Sequence, residues 1–318
     1  MSKYLITGFS GFVSRHFLQF LYDEHSGDEV YGIDLRKPPF DYESYQDKLA
    51  IQFKETNLLD IDRLREVFLA FKPDYILHLA SFSSVAYSWK YPAESFTNNT
   101  DIFLKLLTVT RECVPKCRIL SVGSSEEYGN VSTEDLPIKE TVQLKPTSPY
   151  AVARISQEML AKIYAERFGM DIILTRSFNH IGIWQDDRFV VPSFVKRIEN
   201  LKKRGLTRGT IETGDISIIR DFVDVRDVVR AYYYLLHDGI KGEVYNVCSG
   251  KGISLEQILN TIADEMGVVV DHVVNPDYVR PDDNAIIIGD YCKIKEELGW
   301  EPTIDFTNSI KDIINNRL

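Results

Sequence analysis

The sequence predicts an α/β fold, in which a Rossmann-type doubly wound parallel sheet is followed by a smaller mixed α/β C-terminal lobe. Apolar strand-like runs alternate with amphipathic helical stretches as far as residue 176. A turn containing two glycines joins the first strand to the first helix. Beyond residue 176 this alternation gives way to loops and shorter elements, which indicates a second lobe.

The elements of the first lobe are short and regular. The strands are short runs rich in apolar residues, expected at 3–7, 29–33, 75–79, 118–122 and 171–176. Helices are expected at 14–22, 61–71, 96–111 and 150–168. In the first helix Phe17, Leu18 and Leu21 fall on one side, as in a helix packed on a sheet. Because each strand is followed by a helix, the crossovers are expected to be right-handed and the strands parallel.

The two lobes are expected to interleave. Residues 224–238 are again helical in pattern, so a segment at about 221–248 is predicted to return to the first lobe. The first domain is therefore predicted to comprise residues 1–176 with that segment, and to bind a dinucleotide. The remainder of 177–318 is predicted to form the substrate-binding domain.

Composition excludes several classes of partner. The net charge is −10 and the isoelectric point about 5.2, which argues against binding to nucleic acid or to an acidic membrane surface. No apolar run approaches the roughly 18 residues that cross a bilayer, and the first residues lead directly into a strand, so neither a membrane segment nor a signal peptide is expected. The four cysteines are scattered, which predicts no metal site and fits a reducing cytoplasm.

The turn after the first strand is suited to a dinucleotide. In the segment Thr7-Gly8-Phe9-Ser10-Gly11-Phe12-Val13-Ser14, two glycines allow close approach of a pyrophosphate to the backbone. The helix that follows favours negative charge at its N-terminus. Residues 8–13 are therefore predicted to bind the cofactor, and Ser14 stands where a third glycine would help the helix to pack.

Asp34 ends the second strand and indicates which dinucleotide is bound. A carboxylate at this position accepts hydrogen bonds from a ribose 2′-hydroxyl and repels a 2′-phosphate. NAD(H) is therefore expected to be preferred, and Leu35 and Arg36 are also predicted to bind the cofactor. The positive charge of Arg36 leaves NADP(H) as an alternative.

Tyr150 and Arg154 are predicted to form the reactive pair. Positions i and i+4 lie on one face of a helix, so the guanidinium would lie beside the phenol. A nearby positive charge favours phenolate, which allows a tyrosine to act as a general acid. A general acid of this kind protonates an oxygen on which negative charge develops, and such an oxygen is stabilised further by a second hydrogen bond.

These motifs resemble those of the extended short-chain dehydrogenase/reductase family, the NAD-dependent epimerases, dehydratases and reductases of nucleotide sugars. The resemblance runs nearly from end to end. It includes Leu77-His78-Leu79-Ala80-Ser81, Ser124-Ser125-Glu126-Glu127-Tyr128-Gly129, Ser177-Phe178-Asn179-His180-Ile181-Gly182 and Arg220-Asp221-Phe222-Val223-Asp224. Within the family the chain is most similar to GDP-4-dehydro-6-deoxy-D-mannose reductases. The family carries Lys where this chain has Arg154, and arginine is not equivalent to lysine. The resemblance therefore implies that the cofactor binds but turnover is slower than with Lys.

The resemblance also implies roles for individual residues. Tyr150 would donate the proton, Ser124 or the adjacent Ser125 would bond the same oxygen, and Glu126 would contact substrate hydroxyls. Further cofactor contacts are implied for Asn57, Leu58, Leu79, Ala80, Ser81, Asn99, Val122, Tyr150, Arg154, Phe178 and His180. Substrate contacts are implied for Ser83, Asn179, Val190, Lys196, Arg220 and Arg280. The two arginines would clamp a diphosphate, or alternatively pair with neighbouring aspartates.

The activity implied is NAD(P)H-dependent reduction of a GDP-4-keto-6-deoxyhexose, with a GDP-linked sugar as partner. A 4,6-dehydratase acting on GDP-mannose or a GDP-heptose is the nearest alternative, and a 4-keto-type epimerase is another. A non-catalytic NAD-binding protein is the alternative of a different class, suggested by Arg154. The family usually pairs through two helices of each subunit, here 96–111 and 150–168, so a homodimer held by a four-helix bundle is expected.

Overall fold

The computed structural model describes residues 1–279 and 284–317. Its strands in chain order are β1 (Lys3–Thr7), β2 (Glu29–Asp34), β3 (Ala50–Glu55), β4 (Tyr75–His78), β5 (Arg118–Ser124), β6 (Asp171–Ser177), β7 (Asn179–Ile181), β8 (Arg208–Thr213), β9 (Ile219–Asp224), β10 (Val244–Val247), β11 (Gly252–Ser254), β12 (Val269–Val274) and β13 (Ile286–Ile287). Its helices are α1 (Phe12–Glu24), α2 (Ile61–Phe71), α3 (Val85–Lys90), α4 (Pro92–Cys113), α5 (Pro149–Phe168), α6 (Val190–Lys203), α7 (Val225–Asp238), α8 (Leu255–Met266), α9 (Cys292–Leu298) and α10 (Phe306–Asn315).

Seven parallel strands form the central sheet in the order β10-β6-β5-β4-β1-β2-β3. Helices α1 and α7 cover one face, where their apolar side chains pack with Tyr4, Ile6 and Leu120. Helices α2, α4 and α5 cover the other face around Leu5, Ile76 and Ile119. Successive residues of one strand therefore enter opposite cores. The predicted doubly wound α/β fold is confirmed.

One strand was missed, and several boundaries differ from those predicted by a few residues. Strand β3 was not predicted, because its alternation of buried and exposed residues is that of an edge strand and is weak in sequence. Helix α1 begins at Phe12 rather than Ser14, since Gly11 is its N-cap. Strand β5 continues to Ser124, which makes that serine the last residue of the strand.

The C-terminal part of the chain has a hydrophobic core of its own. Residues of α6, α8 and α10 pack with β8 and β9 around Phe194, Ile258 and Ile310. Strand β9 is paired on both sides, by β11 and β13, with β7 also attached, and β8 pairs with β12. Between these elements α7 packs on the central sheet, and β10 pairs with β6 at its edge. The boundaries of the two domains remain a prediction.

The strand order reverses at β1. From β1 the chain builds outward through β2 and β3, then crosses to the other side of β1 to form β4. In open parallel sheets such a reversal leaves a crevice at the carboxyl ends of the strands, where ligands bind. Thr7, Asp34, His78, Ser124 and Ser177 end five adjacent strands and so lie along this edge.

Candidate active site

The turn between β1 and α1 leaves room only for glycine at position 8. Gly8 has a φ of 73°, in the left-handed region, and a Cβ there would lie 2.8 Å from the backbone nitrogen of Ala80. The turn therefore packs directly on the segment that follows β4. Ala80 N also donates to Thr7 Oγ1 at 3.3 Å, which ties the two segments together.

The N-terminus of α1 is suited to an anion. Its N-cap is Gly11, no side chain caps its first amides, and its first turn contains no acidic residue. Unpaired amides at a helix N-terminus favour a phosphate. Phe9 does not reach this site: its side chain is fully buried and stacks on Phe53 at 5.8 Å, and its amide donates to Ile33 O.

Asp34 organises the turn beside it. Its Oδ2 accepts from Ser10 N at 2.9 Å and its Oδ1 accepts from Leu35 N at 2.6 Å. Ser10 Oγ in turn donates to Arg36 O at 2.6 Å. The carboxylate thus lies beside the phosphate-binding turn, while the side chains of Leu35 and Arg36 are exposed.

The phenol of Tyr150 and the guanidinium of Arg154 are in contact, as the i,i+4 spacing predicts. Both side chains are buried on the first turns of α5, and Arg154 Nε donates to Tyr150 Oη at 3.1 Å. Because Oη accepts this bond, its own hydrogen can point elsewhere. Ser148 caps the helix by accepting from Ala151 N, and Pro149 occupies its first position.

Arg154 also anchors α5 to two strand ends of the sheet. Its Nη1 donates to Val122 O at 3.0 Å and to Gln157 Oε1 at 2.9 Å, and its Nη2 donates to Ser81 Oγ at 2.6 Å. No carboxylate within residues 1–279 and 284–317 forms an ion pair with Arg154. Burial of the neighbouring His78 ring, together with the charge of Arg154, lowers the pKa of His78 to about 3. The site therefore presents a buried positive charge that only neutral groups contact.

Ser124 is held at the end of β5 by two hydrogen bonds. Its Oγ accepts from Glu126 N at 3.2 Å, and its amide donates to Oε1 of the buried Glu127 at 2.7 Å. Ser125 is also buried, and Glu126 is partly exposed. Ser124 Oγ accepts a bond, so its hydrogen is available to a ligand.

A chain of neutral polar groups lies behind Tyr150. Tyr232 Oη lies 2.8 Å from Ser177 Oγ and 3.4 Å from His180 Nε2, and Ser177 Oγ lies 3.1 Å from Thr175 Oγ1. Burial lowers the pKa of His180 to about 4 and raises that of Tyr232, so both are neutral near pH 7. The Nδ1 atom of His180 is buried and has no partner among the described residues.

The predicted substrate residues lie on the second lobe and in the loop before α3. Asn179 Nδ2 donates to Asp221 O at 3.1 Å, Val190 begins α6, and Arg220 on β9 is largely buried. Ser83 is exposed. Lys196 is exposed to solvent and its Nζ forms an ion pair with Asp187 at 2.9 Å. Arg280 lies outside the described residues.

Three residues with predicted cofactor contacts also make contacts within the protein, and their cofactor contacts stay predictions. Asn57 Oδ1 accepts from Leu59 N in its own turn, and Leu58 is buried in the hydrophobic core. Asn99 is buried and its amide bonds both N and O of Phe82, so it shapes the loop after β4. Leu79, Ala80, Ser81 and Val122 do meet beside Arg154 and the turn, and Phe178 packs against Tyr128.

The sequence did not single out Gln157, Asp221 or Glu127. Gln157 lies three residues after Arg154 on the same helix, and that i,i+3 spacing is the signal that would have indicated it. Asp221 is fully buried and accepts from Ser249 and Gly250, which shapes the loop after β10; burial raises its pKa to about 6. For Glu127, the sequence signal is limited to the two adjacent glutamates, Glu126 and Glu127.

Comparison with known proteins agrees with this geometry. The profile of a family described as GDP-mannose 4,6 dehydratase matches residues 5–313. The chain belongs to this family. Its fold is that of the extended short-chain dehydrogenases/reductases of nucleotide sugars, and it is an enzyme of that oxidoreductase class. The predicted family is confirmed.

Individual members of the family are similar over almost the whole chain. The GDP-6-deoxy-D-mannose reductase of Pseudomonas aeruginosa is 31% identical, with 99% of this chain and 96% of that protein covered. The GDP-mannose 4,6-dehydratase of Yersinia enterocolitica is 28% identical, covering 96% of this chain and 90% of that protein. A solved structure of RMD from Pseudomonas aeruginosa complexed with NADPH is 30% identical, with a TM-score of 0.85 over 99% of this chain and 98% of that one.

No helix within residues 1–279 and 284–317 is both long and apolar enough to cross a membrane.

Proposed function

We propose that this enzyme reduces the 4-keto group of a GDP-4-keto-6-deoxyhexose with NAD(P)H. The observation that carries the proposal is the buried Tyr150–Arg154 pair, held at 3.1 Å beside the ends of β4 and β5. This pair lies at the crevice that the strand order creates, next to a turn suited to pyrophosphate. These features support a site at which a proton donor and a cation would act beside a bound dinucleotide.

The chain's own residues fit a dinucleotide. Gly8 lets the turn pack on the segment after β4, α1 offers uncapped amides, and Arg154 provides a buried cation facing neutral groups only. When bound, the reduced nicotinamide supplies hydride. The residues that would hold the cofactor are Gly8 and residues 10–13 of the turn, with Asp34, Ser81 and Arg154.

Tyr150 and Ser124 would handle the ketone oxygen. Tyr150 Oη accepts from Arg154, so its hydrogen is free to be donated to the oxygen as negative charge develops there. Ser124 Oγ similarly accepts from Glu126 N and can donate to the same oxygen. Arg154 stabilises the phenolate that remains after proton transfer.

Two observations favour a reductase over a dehydratase. The alignment with the reductase spans 314 residues, close to this chain's 318, whereas that with the dehydratase spans 345, so the dehydratase carries insertions that this chain lacks. The segment between β2 and β3 is also short here. Arginine-rich NADP-binding insertions at that segment are expected of the dehydratases.

The test is a comparison of two substrates. With GDP-4-keto-6-deoxymannose, we expect oxidation of stoichiometric NADH or NADPH and formation of a GDP-6-deoxyhexose. With GDP-mannose, we expect no loss of water. Dehydration of GDP-mannose without net cofactor consumption would instead establish the 4,6-dehydratase, in which Glu126 would act as the base. Binding of both ligands with no turnover would establish the non-catalytic alternative.

We further propose that NAD(H) is preferred over NADP(H), because the Asp34 carboxylate beside the turn would repel a 2′-phosphate. Replacement Asp34→Asn should shift the NADPH-to-NADH ratio of kcat/KM about tenfold or more toward NADPH, which corresponds to about 1.4 kcal/mol. The matched control is Arg36→Ala, which should shift the NADPH-to-NADH ratio of kcat/KM toward NADH. Steady-state kinetics with both cofactors measure it, and an unchanged ratio in Asp34→Asn would contradict the role of Asp34.

An exposed apolar face on α4 and α5 supports the proposal that the enzyme is a homodimer. Met159 and Ile163 are 52% and 51% exposed one turn apart on α5. Phe96, Leu104, Val152 and Phe168 add exposed apolar surface on the same two helices. Contiguous apolar surface of this kind marks an interface. Since α4 and α5 pack side by side, a second copy meeting them face to face would complete a four-helix bundle.

Replacing Ile163 by Glu should therefore convert the dimer to a monomer, because the interface would have to bury a charge. Sedimentation velocity measures the change, and circular dichroism checks the fold. The control is Ile240→Glu, which places the same charge at a position 51% exposed in the loop after α7. A parent protein that sediments as a monomer at micromolar concentration would refute the dimer.

A further inference from the structure

Glu127 is a fully buried carboxyl group directly beneath the candidate active site. It follows Glu126 in the run after β5, and its Oε1 accepts from Ser124 N at 2.7 Å. Gly123 makes room for the carboxyl group at the strand, since a Cβ at this position would lie only 2.5 Å from Oε1. The carboxyl group is therefore closely packed against the end of β5.

The second carboxyl oxygen of Glu127, Oε2, indicates the protonation state of the side chain. Oε2 is buried and has no hydrogen-bond partner among the described residues. The neighbouring carboxyl group is Glu158 on α5, and two carboxylates can bond only if a proton lies between them. Glu158 is held ionised by Arg176, at 2.9 and 2.8 Å, and by Lys162 at 2.7 Å. The shared proton therefore belongs on Glu127.

We propose that Glu127 is a positioning residue, which in its protonated form donates to Glu158 and fixes the amide of Ser124 so that the Ser124 hydroxyl faces the substrate oxygen. The inference rests on the proposed function insofar as Ser124 is assigned to that oxygen. One side chain thereby connects the ion pair of α5 and β6 to the reactive end of β5.

The surrounding charges agree with a protonated group. Burial and the charge of Glu158 raise the pKa of Glu127 to about 8, whereas Arg176 and the bond from Ser124 N oppose the increase. Beyond them lie Tyr128, whose ring faces the Arg176 guanidinium at 4.8 Å, and Glu140, whose carbonyl accepts from Arg176. Glu127 would thus be mostly protonated at neutral pH.

Protonation of Glu127 makes the stability of the folded protein depend on pH, which can be measured without an activity assay. The pKa of Glu127 is raised from 4.5 in a free side chain to about 8 in the folded protein. Between these two values the folded state binds a proton that the unfolded state has lost, so stability falls as pH rises from about 4.5 to about 8. Above pH 8 this contribution is constant.

The experiment compares Glu127→Gln with Glu127→Leu. Glutamine retains an acceptor for Ser124 N and a donor for Glu158, so we expect kcat within about threefold of the parent. Leucine fills the space but removes the acceptor, so kcat should fall about 10- to 100-fold while KM for the cofactor stays unchanged. Thermal unfolding from pH 5 to 8 should show that Glu127→Gln gains stability relative to the parent as pH rises.

The outcomes are separable. Full kcat in Glu127→Leu, or equal losses in both variants, would overturn the positioning role. If Glu127→Leu does not fold, a kcat for Glu127→Gln more than tenfold below the parent would overturn it instead. A constant stability difference between Glu127→Gln and the parent from pH 5 to 8 would overturn the protonated pair. If the parent reduces no GDP-4-keto sugar, the proposed function fails, and the unfolding comparison alone decides whether Glu127 holds the proton.

Discussion

Replacing Tyr150 by Phe should lower kcat about 10²- to 10⁴-fold, the range that a positioned general acid contributes. The variant removes only the hydroxyl, whose hydrogen is free because the oxygen accepts from Arg154 Nε at 3.1 Å. Arg154 keeps its bonds to Val122, Ser81 and Gln157, so the fold and the cofactor site should remain. Single-turnover oxidation of NADH in the presence of the ketosugar would measure the loss.

The matched control is Tyr164→Phe. Tyr164 lies on the same helix, is partly buried and packs on Phe168 at 5.0 Å, but it is far along α5 from Arg154. We expect its kcat to remain within about twofold of the parent. Cofactor affinity, measured by quenching of protein fluorescence, should be the same in both variants. A Tyr150→Phe enzyme with more than a tenth of parental kcat would exclude Tyr150 as the principal proton donor.

Residues whose role depends on local spacing were predictable from the sequence. The i,i+4 relation placed Arg154 beside Tyr150, and the order of strand, glycine turn and helix placed the uncapped N-terminus of α1 directly after the turn. Asp34 was expected beside the turn because it ends the second strand. In each case the geometry follows from the repeat of one element or from the common edge of a parallel sheet.

Residues whose role depends on distant packing were not predictable. The sequence did not indicate that the Leu58 side chain enters the hydrophobic core or that Asn99 forms hydrogen bonds with Phe82. Glu127 becomes significant only because α5 and β6 bring Glu158 and Arg176 beneath it. A long-range pairing of this kind leaves no periodic signal in a single sequence. Strand β3 was missed for a related reason, since an edge strand exposes half of its residues.

Substitution of Arg154 should also have a large effect on activity. Arg154→Met removes the buried cation and the donor to Tyr150, and it leaves Gln157 Oε1 without its partner. We expect kcat/KM to fall at least about 10²-fold, equivalent to about 2.7 kcal/mol. The KM for the cofactor should rise as well. Stopped-flow binding and steady-state assays would separate the two effects.

Arg154→Lys should raise turnover above the parental value, although it lowers stability. The ammonium group of lysine retains the positive charge but is smaller than the planar guanidinium of Arg154. It therefore leaves space beside Ser81 that the guanidinium occupies. Lysine has three donors and cannot replace all four bonds from Arg154, so a loss of about 1–2 kcal/mol of unfolding free energy is expected. Chemical denaturation and ketone-dependent NADH oxidation measure these opposite changes. If turnover does not increase, Arg154 does not limit the reaction, and the bond from its Nε to Tyr150 already supports full proton donation.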